Sequence, residues 1–315
     1  MGEVLKNIIT YTPIKYSLLR VTPDRTLTGN AYSGIIKAIH STKKPLKERI
    51  DQEKISKYNS KVQVHMTNPI TYEIMFDGDD KKTTPTFSFG IPEDCSVYMK
   101  QRIQGILPNS TLEFKDDYVD KFDNAYMVEY NYEKDSMLAL KVTDNNFLQA
   151  MLNLKNDIQK GEKILFQVEM LPINDMWKSF QDDKWDKMRS GKDVATKRGI
   201  LDKSMDVAHN ELLNVLSIAD EFVGYTPPKK ISKGLEDTKE TNKKEKVSSS
   251  VASYSTASRG KKNDDGFSVK IRAYIVCKSK LQARTYATTI ETAMRELEED
   301  NRLIMKGLKQ SSVRR

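Results

Sequence analysis

The chain contains few of the residues on which catalysis and metal binding usually depend. Its 315 residues include only two cysteines and three histidines. Cys95 and Cys277 are far apart and form no CxxC pair, which excludes a disulfide framework or a zinc knuckle and favours a reducing compartment. The histidines, His40, His65 and His209, lie apart in the sequence and outside any HExxH motif. We therefore expect neither a metal site nor a cofactor.

Nucleotide-binding motifs are missing as well. A P-loop requires GxxxxGK[ST], because its backbone amides and lysine hold the phosphates. The Gly-Lys pairs at Gly191-Lys192 and Gly260-Lys261 are followed by aspartate and lysine, not by serine or threonine. No GxGxxG stretch occurs. The sequence thus predicts a protein that is not an enzyme and that has no catalytic residue.

Long apolar runs are also absent. No stretch of about 18 apolar residues is present, so no segment is predicted to span a bilayer. The N-terminus lacks the basic region and the small-residue cleavage site of a secretory signal peptide. We expect a cytoplasmic protein, with peripheral contact to the inner face of the cell membrane, made through partners, as the alternative.

The composition favours folded cores joined by solvated sequence. Charged residues make up 30% of the chain, hydrophobic residues make up 38%, and the net charge is +8. A positive net charge is compatible with a nucleic acid or a lipid surface as partner. Because the 52 basic and 44 acidic residues are spread along the chain, an ordinary charged surface is favoured.

The first part of the chain has the pattern of an α+β unit. Strand patterns occupy residues 13–21, 69–76, 86–89 and 111–114, and helical patterns occupy residues 30–40 and 92–106. The resulting order, βαββαβ, is that of a ferredoxin-like fold made of two split βαβ units. We assign this unit to residues 1–118.

A second unit of the same kind follows. Strand patterns occupy residues 125–132, 137–142, 163–170 and 267–277, and helical patterns occupy residues 145–159, 173–223 and 279–306. We assign residues 119–226 and 267–315 to this second α+β unit, with residues 173–223 as a long helical insertion. A ferredoxin-like unit needs one more strand after its second helix, and none is visible before Arg315. Either residues 125–132 supply that strand, or the chain stops where a larger protein would continue.

Residues 227–266 differ from both flanks. They contain PPKK, a mixed-charge run and SSSVASYSTAS, with few large apolar side chains. Such a segment cannot bury enough surface to offset the entropy lost on ordering. We predict a disordered linker.

One stretch of the insertion combines aromatic and basic residues. Its members are Trp177, Lys184, Trp185, Lys187, Arg189, Lys192, Lys197 and Arg198. Cations interleaved with aromatic side chains are typical of surfaces that bind single-stranded nucleic acid. A helix that rests on a membrane or on a protein partner is an equally open interpretation. We favour a third one, in which the tryptophans pack the insertion onto the sheet and the lysines stay in solvent.

Two long stretches, residues 14–41 and 70–114, resemble the N-terminal region of a known group of motors. The second stretch contains Phe87 and Phe89 followed by Ile91-Pro92-Glu93, and its helix ends at Leu107-Pro108. The group is that of the HerA/FtsK-superfamily, type IV secretion-like ATPases that transfer DNA during conjugation of Gram-positive plasmids and integrative elements.

The similarity continues through most of the remaining chain. It includes the helix at 145–159, Gly161-Glu162, the strand that ends at Glu169, and Pro172 with Trp177. Residues 268–276 are similar to the last strand before the motor. The ATPase domain itself is absent, since in relatives the nucleotide site lies in sequence that would follow Arg315.

The resemblance implies a non-catalytic docking or assembly module. Such a module would anchor the motor to the secretion or conjugation machinery, or would help the motor to assemble into a ring. The implied partners are a separate or downstream ATPase motor and that machinery, with contact to DNA and formation of an oligomer as further expectations.

Two other functions remain open. The chain could be a stand-alone nucleic-acid-binding protein of a plasmid, phage or integrative element, with an affinity that falls steeply with salt. As an enzyme, it would need His65 or His209 to converge with carboxylates in a pocket.

Overall fold

The chain divides into two units. The computed structural model describes residues 9–10, 15–24, 30–43, 64–65, 68–78, 85–115, 122–141, 146–173, 175–190 and 254–313. A sheet unit consists of Met1–Glu133, Ala139–Pro172 and Phe267–Arg315, and an insertion unit consists of Lys134–Leu138 and Ile173–Gly266. Strands from both predicted ferredoxin-like units, residues 1–118 and residues 119–226 with 267–315, therefore lie in the sheet unit.

Strands and helices are interspersed along the described residues. The strands are β1 Ile9–Thr10, β2 Tyr16–Thr22, β3 Val64–His65, β4 Ile70–Asp77, β5 Thr86–Pro92, β6 Thr111–Lys115, β7 Phe122–Tyr132, β8 Lys163–Pro172, β9 Phe267–Val276 and β10 Leu303–Val313. The helices are α1 Asn30–His40, α2 Ser96–Ile106, α3 Asn146–Leu152, α4 Met176–Arg189, α5 Thr256–Gly260 and α6 Lys280–Met294. These bounds confirm the mixed α+β class.

Eight strands form one antiparallel sheet. Their order is β10-β7-β9-β8-β4-β5-β2-β6, while β1 and β3 make a separate parallel pair. The first half of the sheet, β4-β5-β2-β6, joins the second half, β10-β7-β9-β8, through the antiparallel pairing of β4 with β8. This pairing runs from Ile70 opposite Met170 to Asp77 opposite Lys163. Strands from both predicted units therefore belong to one continuous sheet, which joins them through this pairing.

Two predictions for the second half are wrong. Residues 137–141 form no strand, because Met137 and Leu138 are buried in a cluster of the insertion unit instead. The predicted helix at 279–306 ends at Met294, and the strand that was expected to be missing is β10. At Gly307, with φ +62°, the register of β10 shifts in a bulge. The bulge interrupts the two-residue alternation by which a strand is recognised in sequence.

Four helices cover one face of the sheet. Ile70, Ile74 and Phe76 alternate along β4 and point to this face, where all three are at most 1% exposed. Around Ile70 the core includes side chains of α1 and α2, and around Ile74 and Phe76 it includes side chains of α3 and α6. The helices α1 and α2 thus form the outer layer of the first half, which positions the groove described below.

The insertion unit has a small core of its own. Met137, Leu138, Trp185 and Met188 are buried together, and the Trp185 ring meets Tyr254 edge-on at 5.9 Å between centroids. Prediction of disorder is wrong for residues 254–266, which contain α5 with a Ser255 hydroxyl that accepts a hydrogen bond from the Ser258 amide. The remainder of the predicted linker, and residues 191–223 of the predicted helical insertion, lie outside the described residues. No helix in the described part of the chain is both long and apolar enough to cross a membrane.

The Gly161-Glu162 turn before β8 holds a buried carboxylate. Glu162 is 1% exposed, and its Oε2 accepts hydrogen bonds from the Gln159 amide at 3.1 Å and from the Tyr286 hydroxyl at 2.5 Å. Gly161 has φ +79° and donates its amide to the Gly78 carbonyl. Burial, together with the hydrogen bond to Glu162, raises the pKa of Tyr286 to about 12. The turn is thereby tied to α6, which gives a structural reason for a glycine-glutamate pair at this place.

Replacement of Tyr286 by phenylalanine is expected to lower the free energy of unfolding by about 1–3 kcal/mol, because a buried carboxylate loses a donor. Chemical denaturation of the full chain measures the change. Tyr16→Phe is the matched control, since Tyr16 is 46% exposed and its hydroxyl donates to the Pro69 carbonyl. Equal losses for the two variants would contradict a special role for the Glu162–Tyr286 pair.

Candidate functional site

The two tryptophans of the predicted aromatic–basic segment are largely enclosed. Trp185 is 4% exposed, and Trp177 is half-buried beside Gly266, where an added Cβ would lie 2.2 Å from the indole nitrogen. The indole nitrogens of both side chains are buried without a hydrogen-bond partner. Because both indole rings are largely enclosed, they do not offer faces on which successive bases could stack.

The described cations of this segment are paired with carboxylates. The Lys184 ammonium lies 2.9 Å and 2.6 Å from the two carboxylate oxygens of Asp135. The other two pairs lie within α4 and join Lys187 to Asp183 at 3.3 Å and Arg189 to Asp186 at 2.7 Å. Lys192, Lys197 and Arg198 lie outside the described residues. The structure does not bring the described members together as an open basic surface.

Lys261 is the other notable cation of the insertion unit. Its ammonium donates to the Ser136 carbonyl at 2.7 Å. Burial lowers the pKa of Lys261 to about 8, against the opposing effect of Asp135. These contacts tie the loop at residues 134–138 to the turn that follows α5.

The histidines do not form a site among the described residues. His40 ends α1, and its ring meets Phe267 edge-on at 5.3 Å between centroids. His65 lies in β3, and His209 is outside the described residues. Within the described ranges, no three histidine, cysteine or acidic side chains are grouped so as to hold a metal ion.

A groove of about 580 Å³ lies on the outer surface of the sheet unit, between α1 and α2. One wall is formed by Gly34, Lys37 and Ala38 of α1, and the other by Gln101, Arg102 and Gly105 of α2. The spacings of three and four residues place each set on a single helix face. Cavities of this volume are within the range that accepts small ligands or a few side chains of a partner.

The groove is basic because acidic residues are absent from both helices that border it. Neither Asn30–His40 nor Ser96–Ile106 contains aspartate or glutamate. Lys37 and Arg102 make no ion pair within the described part of the chain. Some other described cations of the sheet unit do form ion pairs, as Lys163 does with Asp77 at 3.1 Å and Arg302 does with Glu133 at 2.6 Å. We name this feature the α1–α2 groove.

A chain of hydrogen bonds holds Arg102 at the groove. The Arg102 Nε donates to the Tyr98 hydroxyl at 3.1 Å, and that hydroxyl lies 3.0 Å from the Ser41 Oγ. Ser41 in turn donates to the Ala38 carbonyl at 2.7 Å. The hydrogen bonds with Ser41 and Arg102 lower the pKa of Tyr98. Arg102 uses only its Nε in this series of hydrogen bonds. Its two terminal guanidinium nitrogens can therefore donate to an anion.

The two glycines of the groove have different surroundings. A Cβ on Gly34 would lie 3.3 Å from the Ile106 side chain, so this glycine permits close packing of α1 on α2. A Cβ on Gly105 would meet no atom within 4 Å, and its φ is not in the left-handed region. A helical glycine costs roughly 0.5–1 kcal/mol relative to alanine. Nothing in the described fold requires that cost at Gly105, whereas the open groove beside it does benefit from a missing side chain.

The chemistry of the groove is that of binding. Lys37 and Arg102 supply charge, Ser41 and Gln101 supply neutral polar groups, and the small residues supply space. Sequence analysis did not single out these residues, because α1 and α2 are separated in the chain by two strands of the main sheet. The available signal was the absence of acidic residues from residues 30–40 and 96–106, although Glu93 and Asp94 directly precede the second of these stretches.

Comparisons of the chain with protein-family models, with curated proteins and with solved structures give no match.

Proposed function

We propose that the chain is a non-catalytic docking and assembly module of a conjugation-type, DNA-translocating ATPase system. The observation that carries the proposal is the strand order within each half of the sheet. In β4-β5-β2-β6 and in β10-β7-β9-β8, the first strand of the half lies between its third and fourth, and the second strand lies outside the third. Together with the chain order βαββαβ, this supports two ferredoxin-like halves in tandem.

The stretches that resemble the motor family fall on whole structural elements. Residues 70–114 supply β4, β5, α2 and nearly all of β6, and Gly161-Glu162 forms the turn before β8. This agreement supports the assignment of the chain to the region that precedes the motor domain in such ATPases.

The proposed role is to hold partners. The cores of both halves lie under one layer of helices, and the outer surface of that layer carries the α1–α2 groove. The proposed partners are an ATPase motor, encoded separately or in the same chain, and the secretion machinery at the inner face of the membrane. The module would form an oligomer when the motor subunits assemble into a ring.

The test is copurification of the full chain with the ATPase encoded beside it. We expect a stable complex on size-exclusion chromatography with light scattering, and no complex with an unrelated hexameric ATPase. Absence of any complex with the neighbouring ATPase would overturn the proposal.

The nucleic-acid alternative is tested with the same protein. It requires binding of a short single-stranded oligonucleotide without the motor, with an affinity that falls steeply as salt rises. Because the described cations of α4 are paired with carboxylates, we expect weak binding at physiological salt.

A further inference from the structure

We propose that the α1–α2 groove seats an acidic segment of a protein partner, with carboxylates on Lys37 and Arg102 and the segment's backbone or small side chains over Gly105. The inference rests on the proposed docking function and names the surface and the chemistry of the partner.

The charge of the groove is complementary to that of an acidic segment. Two adjacent helices without an acidic residue are unusual in a chain that has 44 acidic residues among 315. Lys37 and Arg102 face each other across the groove without an intramolecular counter-ion among the described residues. A partner's carboxylates would supply the missing charge, and Arg102 is suited to a bidentate contact because its guanidinium is already oriented by Tyr98.

The groove also has open space beside Gly105. Gly105 leaves room that no neighbouring atom fills, in a helix that would be more stable with alanine at this position. Gly34 and Ala38 on the opposite wall are also small. The groove is therefore shaped to admit a peptide backbone or a small side chain between the two cations.

A protein segment fits these features better than a nucleic acid does. A nucleic-acid strand is usually held by several cations along its backbone and by aromatic faces on which bases stack. Among its described lining residues the groove has two cations. The ring of Tyr98 on α2 already has the Arg102 guanidinium over it at 5.3 Å from the ring centroid.

The test uses the full chain and a short fluorescein-labelled peptide of alternating glutamate and alanine, with fluorescence anisotropy as the readout. We expect Lys37→Ala with Arg102→Ala to weaken binding at least about tenfold. Lys278→Ala, which removes an exposed lysine outside the groove, is the matched charge control and is expected to leave the affinity unchanged. A peptide of alternating lysine and alanine is expected not to bind.

Gly105→Gln separates binding from folding. Glutamine is a good helix former, so we expect an unchanged or higher melting temperature together with a loss of peptide affinity of about tenfold. Gly105→Ala is the milder variant, with a smaller loss of affinity. Wild-type Kd above about 1 mM, or equal affinity for all variants, would overturn the proposal. Displacement of the peptide by an equal concentration of pyrophosphate or of a single-stranded oligonucleotide would also overturn it, in favour of a small-anion or nucleic-acid site.

The motor complex distinguishes failure of this inference from failure of the docking function. If the wild-type chain and the groove variants capture the neighbouring ATPase equally well, docking stands and the groove assignment fails. If the wild-type chain captures no ATPase, the docking function fails whatever the peptide does.

Discussion

Replacement of Ile74 by alanine is expected to lower the free energy of unfolding of the whole sheet unit by about 2–5 kcal/mol. Ile74 is 0% exposed in β4, and its register partner across the junction is Phe166 in β8, which is 1% exposed. Because the two halves share this sheet and its core, a cavity at the junction destabilises both of them. Equilibrium denaturation followed by near-ultraviolet and far-ultraviolet circular dichroism measures the effect.

Val97→Ala is the matched control for this prediction. Val97 is 65% exposed on α2, so loss of its methyl groups is expected to change the free energy by no more than about 0.5 kcal/mol. Two separate transitions for the Ile74→Ala protein, with the β7–β10 half unchanged in its midpoint, would contradict a sheet that unfolds as one unit.

Removal of β10 by a stop after Arg302 is expected to abolish folding of the sheet unit. The strand pairs with β7 from Leu303 opposite Tyr132 to Val313 opposite Phe122. Leu303 is buried in the core under α6, and the Met305 amide donates to the Glu291 side chain. Loss of these contacts together approaches the about 5–15 kcal/mol by which a typical domain is stable. The expected result is insoluble protein, or soluble protein without a cooperative melting transition.

The matched control is a stop after Val313, which removes two arginines and leaves β10 whole. It is expected to melt like the full chain. A cooperative melt of the Arg302-terminated protein at the full-length temperature would show that β10 is dispensable, against the paired register in the structure.

Local patterns in the sequence predicted most of the first half because its strands alternate without interruption. Along β4 the apolar positions Ile70, Tyr72, Ile74 and Phe76 follow each other at every second residue, and the structure has a strand there. By contrast, β10 contains a bulge at Gly307 and a run of four polar residues at 309–312, so the two-residue period is lost. Its identity as a strand depends on pairing with β7, which is distant in sequence.

Tertiary context also explains the other errors. Met137 and Leu138 resemble strand residues because they are apolar, but they are buried with Trp185 in the insertion unit. Residues 254–266 have the composition of a linker, yet Tyr254 packs on Trp185 and Ser255 caps α5. The pairing of β4 with β8 could not be predicted, since any two alternating strands satisfy the same local pattern.

The α1–α2 groove depends on the adjacency of two helices that are distant in the sequence. A pattern search for catalytic or cation-rich motifs gives no weight to Gly105 or to the lack of acidic residues in α1 and α2. Both features acquire meaning when the fold places Lys37 and Arg102 on opposite walls of one groove.

Hydrogen–deuterium exchange of the full chain, with and without the neighbouring ATPase motor, tests docking through this surface most directly. We predict that the motor slows exchange in residues 30–43 and 96–106, and that the Lys37→Ala, Arg102→Ala protein loses this protection. Protection confined to other segments, or no change in exchange at saturating motor, would contradict the account.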